Sequence, residues 1–269
     1  MFKGVTIGQY FPGTSFVHRL DPRTKLLATI AMIAIVFVVQ NFSGFALIAA
    51  FVLGVALSTG VPLRYLVKGL KPIFFIIIFT FVLNLFFQTS GEVLVQLGFL
   101  RITEDGLRLA LFMAVRLILL VVSSQLLTLT TSPISLTDGL ETLLRSLTVI
   151  RFPAHEIAMM MSIALRFIPT LMDEADKIMK AQKARGADFE HGNLVQRARA
   201  MVPLLVPLFV GAFRRAEELA LAMDARCYRG GAGRTRMMQL RFGSIDLLAC
   251  LAVLALLGVV ILLNRFSPI

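Results

Sequence analysis

The sequence predicts an all-α integral membrane protein. It has about five transmembrane helices and, between the fourth and fifth, a cytoplasmic or interfacial domain of about three helices. Two of those three are long, and each ends in an Ala-Arg motif. Three observations carry this reading. Hydrophobic residues make up 57% of the 269 residues and charged ones 16%, where a soluble domain has roughly 25% charged residues; the mean hydropathy is +0.83. Several apolar runs approach the ~20 residues that a membrane span requires. Lysine and arginine are spread unevenly among the segments between those runs, which sets a direction across the bilayer.

The N-terminal segment is turn-rich and closes on His18-Arg-Leu-Asp21-Pro22-Arg23-Thr-Lys25. Asp21-Pro22 predicts a helix start, with Asp as N-cap and Pro at the first helical position. The first residues lack the pattern of a cleaved signal peptide. From Leu26 to Leu57 the chain is apolar except for Gln40-Asn41-Phe-Ser43-Gly44, so it reads as a hairpin of two short spans. Val61 to Pro72 is a basic loop, and a third span runs from about Ile73 to Phe87. Alternating residues in Glu92–Gln96 and Phe99–Glu104 predict a short extended excursion outside the bilayer. The fourth span, about Leu107 to Leu127, carries Arg116. The fifth runs from about Ile245 to Leu263, with Asp246 at its near end. The expected domains are therefore 1–129, 130–241 and 242–269.

Orientation follows from the cations. The N-terminal segment, the Arg64–Lys71 loop and the long insert together hold twenty-three Lys and Arg residues; the segments on the opposite side hold three. Cytoplasmic loops carry the excess of positive charge, so the N-terminus and the insert are expected in the cytoplasm and the C-terminus outside. The net charge of +11 then sits beside anionic lipid headgroups, and no nucleic-acid partner is expected. Cys227 and Cys250 fall in different environments, one polar and one apolar, so no disulfide is expected.

Within the insert, Ser132-Pro133 opens a short helix with Leu136, Leu140, Leu143, Leu144 and Leu147 on one face. Pro153 is expected at the first position of the next helix. Ile157, Met161, Ala164, Ile168, Leu171, Ala175, Ile178 and Gln182 then recur at steps of four and three, a helical seam that Pro169 should kink. To Arg185 this helix would be roughly 45–50 Å long. The third helix has the same rhythm at Val202, Leu205, Phe209, Ala212, Ala216, Leu219 and Met223, with Pro203 and Pro207 implying bends. Such helices either lie on the spans and bilayer surface, or offer their apolar seams to another membrane protein and their polar ends to a cytosolic one. A self-contained five-span bundle needs no helices of this length, which favours the second.

Catalytic signatures are not found in the sequence. There is no phosphate loop, no nucleophile elbow, and no metal-ligand spacing among His18, His155 and His191. Arg116 is either a functional charge or one that snorkels or pairs within the bundle. Asn84 and Gln125 are expected to hydrogen-bond between helices.

The long helices end in Ala181-Gln-Lys-Ala184-Arg185-Gly186 and Ala222-Met-Asp-Ala225-Arg226-Cys227, two copies of A-x-x-A-R-x. Capping by a cation at the helix C-terminus explains an Arg in each last turn but not the repeated small residues around it. Both arginines also continue the apolar seams. A guanidinium flanked by Ala can enter a narrow pocket and make bidentate contacts, and two such plugs imply a partner with two similar sockets.

With these motifs, the Leu20-Asp-Pro-Arg-Thr-Lys25 lead-in, the Thr130-Thr-Ser-Pro133 stretch and the five-span plan, essentially the whole chain resembles the T components of energy-coupling factor (ECF) transporters, the EcfT/CbiQ family. The resemblance implies a coupling subunit of an ECF-type ABC importer for vitamins or other micronutrients in the bacterial cell membrane. Its partners would be two ABC-type ATPases forming a heterodimer, and one membrane-embedded S component that binds the substrate. The chain itself would bind no cofactor and catalyse nothing; ATP and magnesium would sit on the ATPases. By resemblance Ala184, Arg185, Gly186, Ala225, Arg226 and Cys227 form the ATPase-docking motifs, with Cys227 departing from the Gly186 of the first copy. Ile157, Met161, Ala164, Ile168, Leu205, Phe209 and Ala212 would face the S component. The alternative is the pore-forming permease of a conventional ABC importer.

Overall fold

The computed structural model describes residues 10–88, 90–97, 100–145, 153–187, 189, 193–230 and 240–266; Leu147, His191, Gly231 and Gly233 lie outside them. Among these residues the elements are α1 (Phe16–Arg19), α2 (Pro22–Val38), α3 (Phe42–Thr59), α4 (Leu63–Leu70), α5 (Phe74–Phe87), β1 (Val93–Leu97), β2 (Leu100–Thr103), α6 (Glu104–Thr130), α7 (Pro133–Leu144), α8 (Ala154–Ala184), α9 (Leu194–Ala225) and α10 (Ser244–Phe266). The chain is an all-α membrane protein apart from the β1–β2 hairpin, which pairs antiparallel where the alternating pattern placed an extended excursion. Two compact units separate: Gly8–Leu143 with Gln239–Ile269, and Leu144–Met238 with Met1–Ile7.

By length and hydropathy α3, α6, α9 and α10 can each cross a membrane. Helices α4 and α5, bent by 59° at their junction, pass the same test as a pair. Helix α2, with 17 residues, is about 25 Å long, slightly short of a ~30 Å hydrocarbon core. Helix α9 passes on its apolar first half; its second half carries Arg214, Arg215, Glu217, Glu218 and Asp224.

In the first unit α6 is the central post. Its buried Phe112, Leu119 and Leu126 recur every seven residues and meet Met32, Ile35, Val36 and Val39 of α2 and Phe45, Ile48, Val52 and Ala56 of α3. Outward positions such as Ile30, Phe37, Phe75, Leu247 and Leu254 are exposed and apolar, as lipid-facing positions must be. Because lipid is as apolar as leucine, packing and hydrogen bonds rather than water expulsion hold such helices together.

Several polar contacts tie the helix ends. Asp21 caps α2 as its neighbours predicted, accepting from the Arg23 N–H at 2.9 Å. The Asp246 carboxylate at the start of α10 is buried and accepts from the Asp21 N–H and the Gly243 N–H, both at 2.8 Å. The Lys25 ammonium donates to the carbonyls of Thr130 (2.9 Å) and His18 (3.1 Å). The lead-in thus joins α2, the end of α6 and the start of α10. At the other end, Asn264 Nδ2 donates to Val38 O at 2.8 Å and Asn41 Nδ2 to Leu263 O at 3.1 Å.

Three expectations need correcting. The basic stretch read as a loop contains the short helix α4, because Leu63, Leu66, Val67 and Leu70 recur at helical spacing and Leu66 is buried. Pro153 is the N-cap of α8 rather than its first helical residue; its ψ of 61° lies outside the helical range. Asn84 donates to Thr80 O within α5 at 2.8 Å rather than across helices.

Candidate partner-docking site

The two Ala-Arg motifs end their helices in the same way, bond for bond. At the end of α8, Arg185 is the C-cap, Gly186 N–H donates to Lys183 O at 3.0 Å, and Ala187 N–H donates to Gln182 O at 3.0 Å. At the end of α9, Arg226 is the C-cap, Cys227 N–H donates to Asp224 O at 2.8 Å, and Tyr228 N–H donates to Met223 O at 3.0 Å. This nested pair of backbone bonds is the Schellman motif, which needs a left-handed residue just past the cap. Gly186 supplies it with φ of 88°, and Cys227 with φ of 55°, the one non-glycine residue of positive φ among those described. Cys227 therefore keeps the geometry of the first motif despite its side chain.

A residue with Cβ in this region is strained by roughly 1–2 kcal/mol. Cys227→Gly should slow amide exchange at Cys227 and Tyr228, and the β-branched Cys227→Val should speed it. Equal exchange in all three proteins would show that the left-handed cap does not limit the fraying of α9.

Backbone N–H groups close both helix ends, so the guanidiniums are not needed as caps. Arg185 and Arg226 are exposed, and neither guanidinium has a hydrogen bond, ion pair or ring contact among the described residues. Ala184, Gly186, Ala225 and Cys227 around them are also exposed. Each arginine stands at a helix end, ringed by small side chains and free to enter a pocket.

Sequence reasoning missed one contact. The Glu174 carboxylate of α8 pairs with the Arg215 guanidinium of α9, both side chains being partly exposed. A Cβ added at Gly211, one turn before Arg215, would stand 3.0 Å from Glu174 Oε1, so α8 and α9 approach closely there. Glu174 lies eleven residues before Arg185, and Arg215 eleven before Arg226. Each arginine is thus about 16 Å of helix beyond the contact. The matched spacing was the available signal, but nothing local marks two charges as partners.

Of the seam residues, Met161, Ala164, Ile168, Leu205 and Phe209 are exposed, and Ile157 and Ala212 are half-buried. Val206, Val210 and Phe213 of α9 are exposed as well, extending the apolar surface beyond the positions the periodicity singled out.

A profile of the cobalt transport protein family CbiQ matches residues 13–240. The chain belongs to the CbiQ family. Among curated relatives it is 58% identical to the energy-coupling factor transporter transmembrane protein EcfT of Thermosediminibacter oceani, over 97% of this chain and 98% of the relative. It is 55% identical to the EcfT of Clostridium kluyveri, over 97% of each chain, and 51% identical to that of Bacillus subtilis, over 96% of this chain and 98% of the relative. The matched span of CbiQ residues includes the lead-in from Gly13, both Ala-Arg motifs and the Glu174–Arg215 contact. The chain is an ECF-type transmembrane component, a multi-pass membrane protein of the T-component family.

Proposed function

We propose that this CbiQ-family chain couples two cytosolic ABC-type ATPases to a membrane-embedded S component for uptake of a vitamin or other micronutrient. The observation that carries the reading is the pair of unpartnered guanidiniums, Arg185 and Arg226, on identically built helix ends equally far from one inter-helix contact. Such a pair matches a partner with two similar sockets. Arg185 engages one ATPase and Arg226 the other, with Ala184, Gly186, Ala225 and Cys227 leaving room for pocket walls. Ile157, Met161, Ala164, Ile168, Leu205, Phe209 and Ala212 belong to the apolar surface that receives the S component.

In this arrangement the N-terminus and α8–α9 face the cytoplasm and the C-terminus lies outside, in the orientation that the Lys and Arg distribution favours. The chain has no catalytic role and binds no cofactor; ATP and magnesium belong to the ATPases, and the S component selects the substrate. A cavity of about 400 Å³ in the first unit is lined by Phe16, Met32, Phe51, Val52, Leu126 and Val253, among others. Its apolar wall suits neither a polar vitamin nor an ion, which weighs against the permease alternative.

Isolating the tagged chain from its native membrane and counting what accompanies it tests the assignment. One copy of the chain with two ATPase subunits and one small membrane protein is the expected composition. A homodimer that transports substrate with no S component would instead establish the permease.

A further inference from the structure

We propose that Arg108 and Arg116 of α6, together with the polar α2–α3 turn, form a binding site for the headgroup of an anionic phospholipid. The site is separate from the docking motifs; only its assignment to the outer leaflet rests on the orientation proposed above.

The two arginines lie eight residues apart, about 12 Å along one face of α6. Aromatic rings link them. The Arg108 guanidinium lies 5.9 Å from the ring centroids of both Phe42 and Phe112. Phe42 stacks on Phe112 at 4.2 Å, and Phe112 meets Phe45 at 5.3 Å. The Arg116 guanidinium in turn lies 5.7 Å from Phe45 and 5.9 Å from Phe37. Ring faces attract a cation but do not neutralise it.

Neither arginine has an acidic partner among the described residues. Arg116 donates to the Val39 carbonyl at 3.2 Å and makes a long contact of 3.8 Å to the Met113 sulfur. Arg108 makes no hydrogen bond, and the Nε atoms of both are buried without an acceptor. Glu104 and Asp105, in the turn before Arg108, are exposed and pair with neither arginine. Two permanent cations in a bundle therefore lack a counter-charge. Ionisable groups within a membrane ordinarily find one.

The shape of this end of the bundle supplies a route for an anion. Phe42, at the start of α3, packs level with Phe112, which is eight residues, about 12 Å, beyond the first residue of α6. The α2–α3 turn is thus set down below the start of α6, and Arg116 reaches its first carbonyl, that of Val39. The exposed Gln40, the half-buried Asn264 and the buried Asn41 make the floor of this step polar, held by the Asn264 and Asn41 bonds to Val38 and Leu263. A headgroup drawn into the step brings a phosphodiester to donors that prefer phosphate oxygens. Its acyl chains would meanwhile lie against exposed Phe37 and Phe42. Two uncompensated positive charges select a lipid of net negative charge over a zwitterionic one.

The experiment uses the full chain in nanodiscs holding equal phosphatidylglycerol and phosphatidylcholine, with the lipid retained after detergent extraction measured by mass spectrometry. Wild type should retain phosphatidylglycerol preferentially. The preference should fall about fivefold for Arg108→Gln or Arg116→Gln, the usual effect of one cation near an anionic surface, and further for the double variant. Arg116→Lys should keep it. Should the double variant fail to fold, Arg108→Gln decides alone, because that guanidinium makes no hydrogen bond among the described residues. Retention that ignores lipid charge, or that survives the glutamine substitutions, would overturn the proposal. Displacement of the lipid by excess inorganic phosphate would overturn it in favour of a free-anion site. Loss of a co-purifying membrane subunit when the same variants are isolated from native membranes, with lipid selectivity in nanodiscs unchanged, would overturn it in favour of a carboxylate on that subunit.

Discussion

Replacing both Arg185 and Arg226 with alanine should leave the protein inserted and folded but unable to retain its ATPases or support uptake. Neither guanidinium has a partner among the described residues, and both helix ends are closed by backbone bonds, so membrane yield and helix content should match wild type. Arginine anchors at interface centres commonly contribute about 2 kcal/mol or more, so each single truncation should weaken capture roughly 30-fold. Two sites on one chain act together, and losing one also removes the effective concentration it gives the other. Single substitutions should therefore leave partial uptake and the double substitution none. Arg→Lys at either position keeps the charge and loses the planar fork, and should fall between wild type and alanine. Affinity capture of the ATPases from membranes, read beside uptake by whole cells, makes the comparison. Full assembly and uptake by the double variant would refute socket docking.

Enlarging Gly211 should uncouple an assembled complex. The Glu174 carboxylate lies over Gly211 and pairs with Arg215 one turn on. Gly211→Leu places a side chain where a Cβ would already stand 3.0 Å from Glu174 Oε1, so the Glu174 carboxylate must swing aside and its pair with Arg215, which ties α8 to α9, is lost. ATPase capture through either arginine alone should survive. Transport should fall about tenfold or more, within the usual range for coupling between sites, while ATP hydrolysis continues. The ion pair gives a second handle. Its side chains are partly exposed, so its stabilisation is small, about 0.2–1 kcal/mol, and Glu174→Arg should disturb geometry more than stability. Restoring the pair with opposite sense, Glu174→Arg with Arg215→Glu, should recover much of the lost transport. If the single and double exchanges transport equally, the contact has no part in coupling.

What could be read from the sequence was local. Asp21-Pro22 announced the cap of α2 because an N-cap carboxylate and the backbone N–H that donates to it lie within three residues. The Ala-Arg repeats were visible as strings. That Cys227 adopts the conformation of Gly186 was not visible, since a cysteine gives no propensity signal for positive φ; it follows from the backbone bonds of Tyr228 and Cys227. The Glu174–Gly211–Arg215 contact was hidden for another reason. Partners thirty-seven and forty-one residues apart share no local pattern, and on exposed helices each charge alone looks like a solvated face. The buried Asp246 carboxylate, bonded to the Asp21 amide from the far end of the chain, was equally illegible: sequence placed it at a membrane edge but named no partner. Helix α4 was missed because three cations among Arg64, Lys68 and Lys71 masked an apolar periodicity of only four residues.

The equal spacing from the Glu174–Arg215 contact to the two arginines also has a mechanical meaning. Treated as a pair of levers on one fulcrum, α8 and α9 have matching output lengths, so the mechanical advantage between them is one. An ångström of travel at either arginine turns its helix by about 3–4°, given a 16 Å throw. Under the proposed docking, neither ATPase is geared above the other, and a difference in nucleotide turnover between two unlike subunits would reach the bundle undistorted by leverage. Shifting the fulcrum by one helical turn on a single helix would break that parity without touching either plug.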